Sequence, residues 1–179
     1  MDNHIQKLIY SLFGTSPVIG TPIREQLRLV NERVPPVFKH REMDDLGCGD
    51  GRITCHLKEV FQPARLRGFD VYPALVKRAK KRGIQAEIMD LETKIPQGEL
   101  AVMWGVLHHL KDAETCLKRI AENYRMAFIR EPIKENHHTG LEMGEPFLKE
   151  KVESWVNHYL CGAQFFYYNG CIFVFYNKR

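Results

Sequence analysis

The stretch Asp44-Asp45-Leu46-Gly47-Cys48-Gly49-Asp50-Gly51-Arg52 decides the fold of this chain. Three glycines at alternate positions follow an acid and precede a helical pattern, which predicts a tight turn from a strand into a helix. Ile53, Leu57 and Val60 give that helix one apolar face, and Asp50 is expected to cap its first turn. Because the glycines leave the backbone bare, the turn predicts a nucleotide-type binding site.

The spacing of the glycines distinguishes between cofactors. Dinucleotide folds have Gly-x-Gly-x-x-Gly, whereas this turn has Gly-x-Gly-x-Gly with Asp45 in front of it. An acid at this place repels a pyrophosphate and attracts an ammonium group. The run resembles motif I of the class I S-adenosylmethionine-dependent methyltransferases. Further along the chain, Val106-Leu107-His108-His109-Leu110 resembles the segment after the fourth strand in the small type 11 and type 12 members. The resemblance implies S-adenosylmethionine as cofactor and S-adenosylhomocysteine as product. It also implies that the cofactor is bound by Asp45, Gly47, Cys48, Gly49 and Gly51.

A second acid follows the next predicted strand. Residues 66–70 form a short strand pattern that ends in Asp70, and Pro73 opens a helix after it. A carboxylate at such a strand end can accept both hydroxyls of a ribose, in this family and in dinucleotide folds alike. Asp70 therefore predicts a ribose, with Val71 beside it, without distinguishing the cofactors.

Two further strands continue the family's order of motifs. Residues 84–90 alternate as a third strand ending in Asp90, and residues 100–110 are an apolar run that fits the fourth strand and its exit. The resemblance implies that Asp90 accepts from the adenine amino group and that the backbone amide and side chain of Leu91 flank the ring. It also places Met103 and Trp104 near the cofactor.

The first strand departs from the family pattern. Residues 37–46 should contain the central strand, which is normally an apolar run, but here they are mostly polar. Asp44 stands where the family usually has an aliphatic residue. This leaves open whether Asp44 or Asp45 is the functional acid.

Candidates for acid–base chemistry follow strands four and five, and no catalytic residue is assigned. His108 and His109 are adjacent, so their side chains diverge and no ligand set for a metal is predicted. One of the two histidines is expected to be a structural hydrogen-bonding or pocket residue. Residues 131–144 read as a polar loop that would supply any general base, and its candidates are Glu131, His137, His138 and Glu142.

The remaining patterns complete a single α/β domain over residues 1–179. Residues 1–36 contain two amphipathic helices and are expected to form a helical cap, either a lid over the cofactor whose order depends on it or ordinary packing on the sheet. Pro146 is expected to open the last helix, with Leu148 and Tyr159 on its buried face, and Asn169-Gly170 predicts a two-residue hairpin. The resemblance implies a Rossmann-like core over 37–179: a three-layer, doubly wound sheet of seven strands in the order 3-2-1-4-5-7-6, the last strand antiparallel.

Composition restricts the class of protein. The chain has 179 residues, of which 44% are hydrophobic and 27% charged, enough for one real core. A net charge of +4 is low for a dedicated nucleic-acid binder. Five cysteines without a Cys-x-x-Cys pair, and the absence of a leader pattern or a bilayer-length apolar run, lead us to expect a cytoplasmic protein without a membrane partner.

The expected activity is methyl transfer to a small-molecule acceptor. Neither an Asn-Pro-Pro-Tyr motif nor a Pro-Cys nucleophile is present, which disfavours the best-marked nucleic-acid methylases. Two alternatives remain open: an RNA or protein methyltransferase that holds its target with the basic residues 77–82, or a cofactor-binding module that acts on a partner without turnover. The acceptor and the oligomeric state are not predicted.

Overall fold

The computed structural model describes residues 21–134 and 145–178, and these form two compact units, one ending at Asp90 and the other beginning at Leu91. Residues 1–20 of the predicted helical cap and the candidates His137, His138 and Glu142 lie outside the described residues. Of the predicted cap, the second helix is described.

The first unit alternates helices and parallel strands. Its helices are α1 Thr21–Arg33, α2 Arg52–Phe61 and α3 Pro73–Lys81, and its strands are β1 Glu42–Leu46, β2 Arg65–Asp70 and β3 Gln85–Ile88. Strand β2 pairs in parallel with β1 on one side and with β3 on the other. Large apolar side chains such as Leu46, Leu57, Phe61 and Phe69 are fully buried.

The second unit contains two parallel strands and an antiparallel hairpin. Its elements are β4 Gly98–Trp104, α4 Ala113–Asn123, β5 Tyr124–Pro132, α5 Lys149–Tyr159, β6 Gln164–Tyr168 and β7 Cys171–Asn177. Strand β5 pairs in parallel with β4 and antiparallel with β7. Asn169 and Gly170 both have positive φ angles, 48° and 72°, as a two-residue hairpin turn requires.

The strands form one seven-stranded sheet in the order β3-β2-β1-β4-β5-β7-β6. The predicted fold class is therefore confirmed, with its doubly wound parallel part and its terminal antiparallel hairpin.

An ion pair explains the polar first strand. Asp44 lies opposite Arg67 of β2, and the guanidinium donates to both carboxylate oxygens over 2.7 and 2.6 Å. Because a planar guanidinium matches a carboxylate with two parallel bonds, the charge can be buried at a position where an aliphatic residue is usual. The carboxylate of Asp44 is thus bound to Arg67 within the sheet.

Two boundaries and the burial of two residues differ from the predictions. The first strand begins at Glu42, since Pro36–Phe38 form a 3-10 turn. Helix α5 begins at Lys149 instead of Pro146, so Leu148 precedes it and is 54% exposed, while Tyr159 is half-buried and donates to Glu114. Leu148 and Tyr159 fit the apolar periodicity of a longer helix. However, Phe147 pairs with Ile133 in an isolated bridge, so the helix begins only after this residue.

Candidate functional site

The glycine-rich turn closes onto the end of β2. The amides of Gly47 and Cys48 both donate to the carbonyl of Phe69, over 2.7 and 2.9 Å. Gly47, Gly49 and Gly51 have φ angles of 84°, 55° and 83°, a region that side chains disfavour. The alternate glycines are therefore needed for the turn's shape, as the sequence predicts.

Gly51 also permits close packing. A Cβ at Gly51 would lie 2.5 Å from Cδ1 of Ile84 and 3.2 Å from the backbone of Ala79. Gly51, and not Asp50, is the N-cap residue of α2. Asp50 instead accepts from the amide of Arg52 over 3.3 Å, and its carboxylate lies 3.1 Å from the Arg52 guanidinium and 3.6 Å from that of Arg82. Asp50, which was expected to cap α2, thus links the turn to Arg82 at the end of α3 through an ionic contact.

Asp70 joins β2 to the turn. Its carboxylate accepts from the amides of Gly49 and Tyr72, both over 2.9 Å, and the residue is 8% exposed. Burial raises the pKa of Asp70, and the two amides oppose that rise. A carboxylate has about four acceptor sites, so Asp70 retains capacity for a ligand's hydroxyls.

Asp45 is the second buried acid of the turn. It is 2% exposed and accepts from the hydroxyl of Thr54 on α2 over 2.5 Å. Burial raises the pKa of Asp45 to about 7; the Thr54 hydrogen bond lowers it and the charge of Asp70 raises it further. Within the described ranges, neither Asp45 nor Asp70 makes an ion pair. The turn therefore carries two carboxylates suited to a cationic ligand.

The other predicted cofactor residues of the first unit are partly buried in the core and partly exposed. The side chain of Cys48 packs among Val76, Ala79, Ile84 and Ala86, so only its backbone belongs to the turn. Val71 is exposed beside Asp70, and Asp90 is exposed beyond the end of β3. The amide of Met89 donates to the carbonyl of Asp70, which brings the chain after β3 to the end of β2.

The second unit contains the predicted residues Leu91, Met103 and Trp104. Leu91 and Met103 are buried, whereas Trp104 is half-buried at the end of β4. The Trp104 ring packs against Phe128 and Phe173, and the guanidinium of Arg130 lies 5.5 Å from its centre. The indole is thus held by the neighbouring strands β5 and β7.

Glu131 holds the turn that follows β4. Its carboxylate accepts from the amides of Val106, Leu107 and His108 over 3.2, 3.1 and 3.0 Å, and it contacts Nδ1 of His108. The prediction that Glu131 begins a polar loop is wrong, because the residue is fully buried within β5. His108 is the structural hydrogen-bonding histidine of the predicted pair.

Two residues that shape the site were not predicted from the sequence. Thr54 is fully buried and donates to Asp45. In the sequence it could have been recognised as a hydroxyl residue on the apolar side of α2. Gly68 lies opposite Asp45, where a Cβ would come within 2.8 Å of Sγ of Cys48. Among the described residues, no group of three or more histidine, cysteine or acidic side chains is arranged to hold a metal.

Comparison with known proteins supports the interpretation of the turn. A family model described as a methyltransferase domain matches residues 45–125. The trans-aconitate 2-methyltransferase of Rhodococcus jostii RHA1 is 32% identical over 102 residues, 56% of this chain and 38% of the relative. That of Mycolicibacterium gilvum PYR-GCK is 29% identical over 59% of this chain and 40% of its own length. The chain thus spans about two fifths of these curated relatives.

Solved structures share the fold. Magnesium protoporphyrin IX methyltransferase from Synechocystis PCC 6803 with bound SAH superposes with a TM-score of 0.71 at 11% identity, over 99% of this chain and all of the other. The methyltransferase domain of bacterial CtHen1-CN gives 0.69 at 18% identity, over 86% and 98%. A putative methyltransferase from Haloferax volcanii, solved with the Trm112 methyltransferase activator, gives 0.67 at 13% identity, over 85% and 88%.

Together the family match over residues 45–125, the relatives and the strand order support the predicted resemblance to the class I S-adenosylmethionine-dependent methyltransferases. The cofactor prediction agrees with this class, since solved neighbours hold the cofactor or its product. In the described part of the chain, no helix combines the length and the apolar character needed to cross a bilayer.

Proposed function

We propose that this protein binds S-adenosylmethionine at the glycine-rich turn and methylates a small-molecule acceptor. The observation that carries the proposal is the pair of buried carboxylates, Asp45 and Asp70, around a turn with bare backbone. Such a site disfavours phosphate and suits a ligand with an ammonium group, a sulfonium and ribose hydroxyls.

The cofactor-binding residues follow from this chemistry and from the family motifs. Asp70 accepts from the ribose hydroxyls and Asp45 compensates the positive amino acid end, while the turn contributes backbone groups. The proposed set is Asp45, Gly47, Cys48, Gly49, Gly51, Asp70, Val71, Asp90, Leu91, Met103 and Trp104. When bound, the cofactor supplies a methyl group on a positively charged sulfur, and most of the protein's contribution to transfer is positioning.

Two observations favour a small-molecule acceptor. The curated relatives are trans-aconitate 2-methyltransferases, and one solved neighbour is a magnesium protoporphyrin IX methyltransferase. In the basic segment 77–82, Arg82 donates to the carbonyl of Asp50 over 3.0 Å, so one of the five cations of the segment already has an internal acceptor. A phosphate-binding surface would need these cations free of internal acceptors.

Calorimetry tests the cofactor. We expect S-adenosylhomocysteine to bind with micromolar affinity and NAD not to bind, because Asp45 repels a pyrophosphate. A labelled-cofactor screen of small-molecule, RNA and protein fractions of a cell extract then tests the acceptor. NAD binding as tightly as S-adenosylhomocysteine would contradict the proposal, as would label transfer confined to RNA or protein.

The affinity for the cofactor is expected to rise with pH. Asp45 has a pKa of about 7, above its ordinary 3.8, so in the empty protein it is largely protonated at pH 6 and ionised at pH 8. Since a positive ligand favours the ionised acid, the Kd for S-adenosylhomocysteine should fall roughly tenfold between these pH values. Titrations in buffers with different ionisation enthalpies should show proton release at pH 6.

Two controls isolate Asp45. Asp45→Asn should bind more weakly at pH 8 and lose the pH dependence, because the amide does not titrate. Methylthioadenosine lacks the amino acid end, so its affinity should stay nearly constant over the same range. If the Kd of Asp45→Asn for S-adenosylhomocysteine changed with pH as much as that of the wild type, the pH dependence would belong to another group.

A further inference from the structure

Strand β6 forms one edge of the sheet and lies in the second unit. Within the described residues, β6 pairs with β7 on one side and with no strand on the other. Its five residues, Gln164–Tyr168, read Gln-Phe-Phe-Tyr-Tyr, so aromatic residues follow one another along an edge strand. None of the five is fully buried. An edge strand of this kind is a template for pairing with a further strand.

The two edge strands of the sheet differ in how they are protected. Strand β3, at the other edge, has four residues, contains Glu87 and follows the basic segment 77–82. Short length and charge are means by which edge strands avoid pairing with other chains. Strand β6 contains neither a charged residue nor a proline, and its register against β7 is continuous, without a bulge. The sequence of β6 therefore permits a pairing that the sequence of β3 opposes.

The geometry of the hairpin determines which backbone groups of β6 face outward. In a two-residue hairpin the residues that flank the turn, here Tyr168 and Cys171, exchange both of their backbone hydrogen bonds. Pro132, which has no amide to donate, lies opposite Cys171 on the other side of β7, and this agrees with the assignment. Because hydrogen-bonded pairs alternate along antiparallel strands, the amides and carbonyls of Phe165 and Tyr167 point away from β7.

This outward pattern is complementary to itself. When β6 pairs antiparallel with β6 of a second copy about a twofold axis at Phe166, Phe165 of each copy lies opposite Tyr167 of the other. The backbone groups that point away from β7 then bond to one another across the axis. Aromatic residues face aromatic residues, with Phe166 opposite its own counterpart, and such cross-strand pairs are stabilising. Gln164 lies opposite Tyr168 of the other copy, so no like charges meet in this register.

We propose that β6 is an interface between two copies of this chain, which pair antiparallel about Phe166 and join their sheets edge to edge. A second copy fits this edge better than a charged partner, because β6 offers no charged residue to recognise one. Helix α5 already orders the strand: the hydroxyl of Tyr167 donates to Glu153, and Nζ of Lys149 lies 4.5 Å from the centre of the Tyr167 ring. Such ordering lowers the entropy lost on association. The inference does not rest on the proposed function.

Sedimentation velocity of the full chain, from low to high micromolar concentration, tests the association. We expect a reversible dimer. Phe165→Lys should raise the dimer Kd by about tenfold or more, because it removes an aromatic pair on each side of the axis and places an ammonium group there. Gln85→Lys adds the same charge to the exposed first residue of β3 and should leave the Kd unchanged. A wild-type chain that stays monomeric, or a Kd that Phe165→Lys does not change, would overturn the proposal.

Cysteine cross-linking tests the register and does not depend on how Phe165→Lys folds. Cys161 is exposed, so both variants are made in a Cys161→Ser background. Phe166→Cys places two thiols at the twofold axis, in a pair without backbone hydrogen bonds, where the Cβ atoms are close enough for a disulfide. Copper–phenanthroline in air should therefore link this variant into a dimer. Gln164→Cys is on the same strand but opposite Tyr168 of the other copy, so it should stay unlinked. Absence of the Phe166→Cys dimer, or equally fast linking of Gln164→Cys, would contradict the proposed pairing.

Discussion

Replacing Asp70 with alanine is expected to weaken the binding of S-adenosylhomocysteine by ~1.5–3 kcal/mol, roughly 10- to 150-fold, through loss of hydrogen bonds to a charged acceptor. The change also frees the amides of Gly49 and Tyr72, which the carboxylate now orders. Calorimetry on the purified variant measures the effect directly.

The folded state should tolerate this substitution. Burial raises the pKa of Asp70, so folding penalises its ionised form relative to the unfolded chain. That penalty disappears with the carboxyl group and offsets part of the cost of leaving the amides of Gly49 and Tyr72 without an acceptor. Thermal unfolding at pH 8 is therefore expected to stay near the wild-type value. Glu87→Ala removes an exposed acid of β3 and serves as the charge-matched control. Equal affinities for wild type, Asp70→Ala and Glu87→Ala would remove Asp70 from the cofactor site.

The sequence predicted features that depend on local chemistry. The alternate glycines require positive φ angles, and the Asn169-Gly170 hairpin follows from the same preference. Asp70 was found because an acid at the end of a strand is recognisable along the chain. In each case the residues that interact are within a few positions of one another or follow a fixed motif.

Features that depend on register across the sheet were missed. Glu131 was assigned to a loop because it precedes Pro132, yet it pairs within β5 and binds a turn more than twenty residues earlier in the chain. The partner of Asp45, Thr54, is set by the packing of α2 against the end of β1. Local patterns do not encode which distant backbone amides an acid will meet, so these contacts became visible only in three dimensions.

The same limit applies to Asp44, whose partner is fixed by the parallel register of β1 and β2. Arg67→Met is expected to lower the free energy of unfolding by about 2–4 kcal/mol, because it removes the guanidinium from a buried carboxylate. The Asp44 side chain is only 5% exposed, and that of Arg67 24%. Urea unfolding followed by tryptophan fluorescence gives the value.

A second ion pair on the same two strands provides the matched control. Glu42 and Arg65 are opposite each other two residues earlier on the same face, but their side chains are 53% and 49% exposed. Arg65→Met should therefore change stability by less than about 1 kcal/mol, since water already screens that pair. The double variant Asp44→Val with Arg67→Met replaces the buried pair by apolar side chains and should recover most of the lost stability. If Arg65→Met is as damaging as Arg67→Met, or if the double variant recovers nothing, the ion pair is not what allows an acid in the central strand.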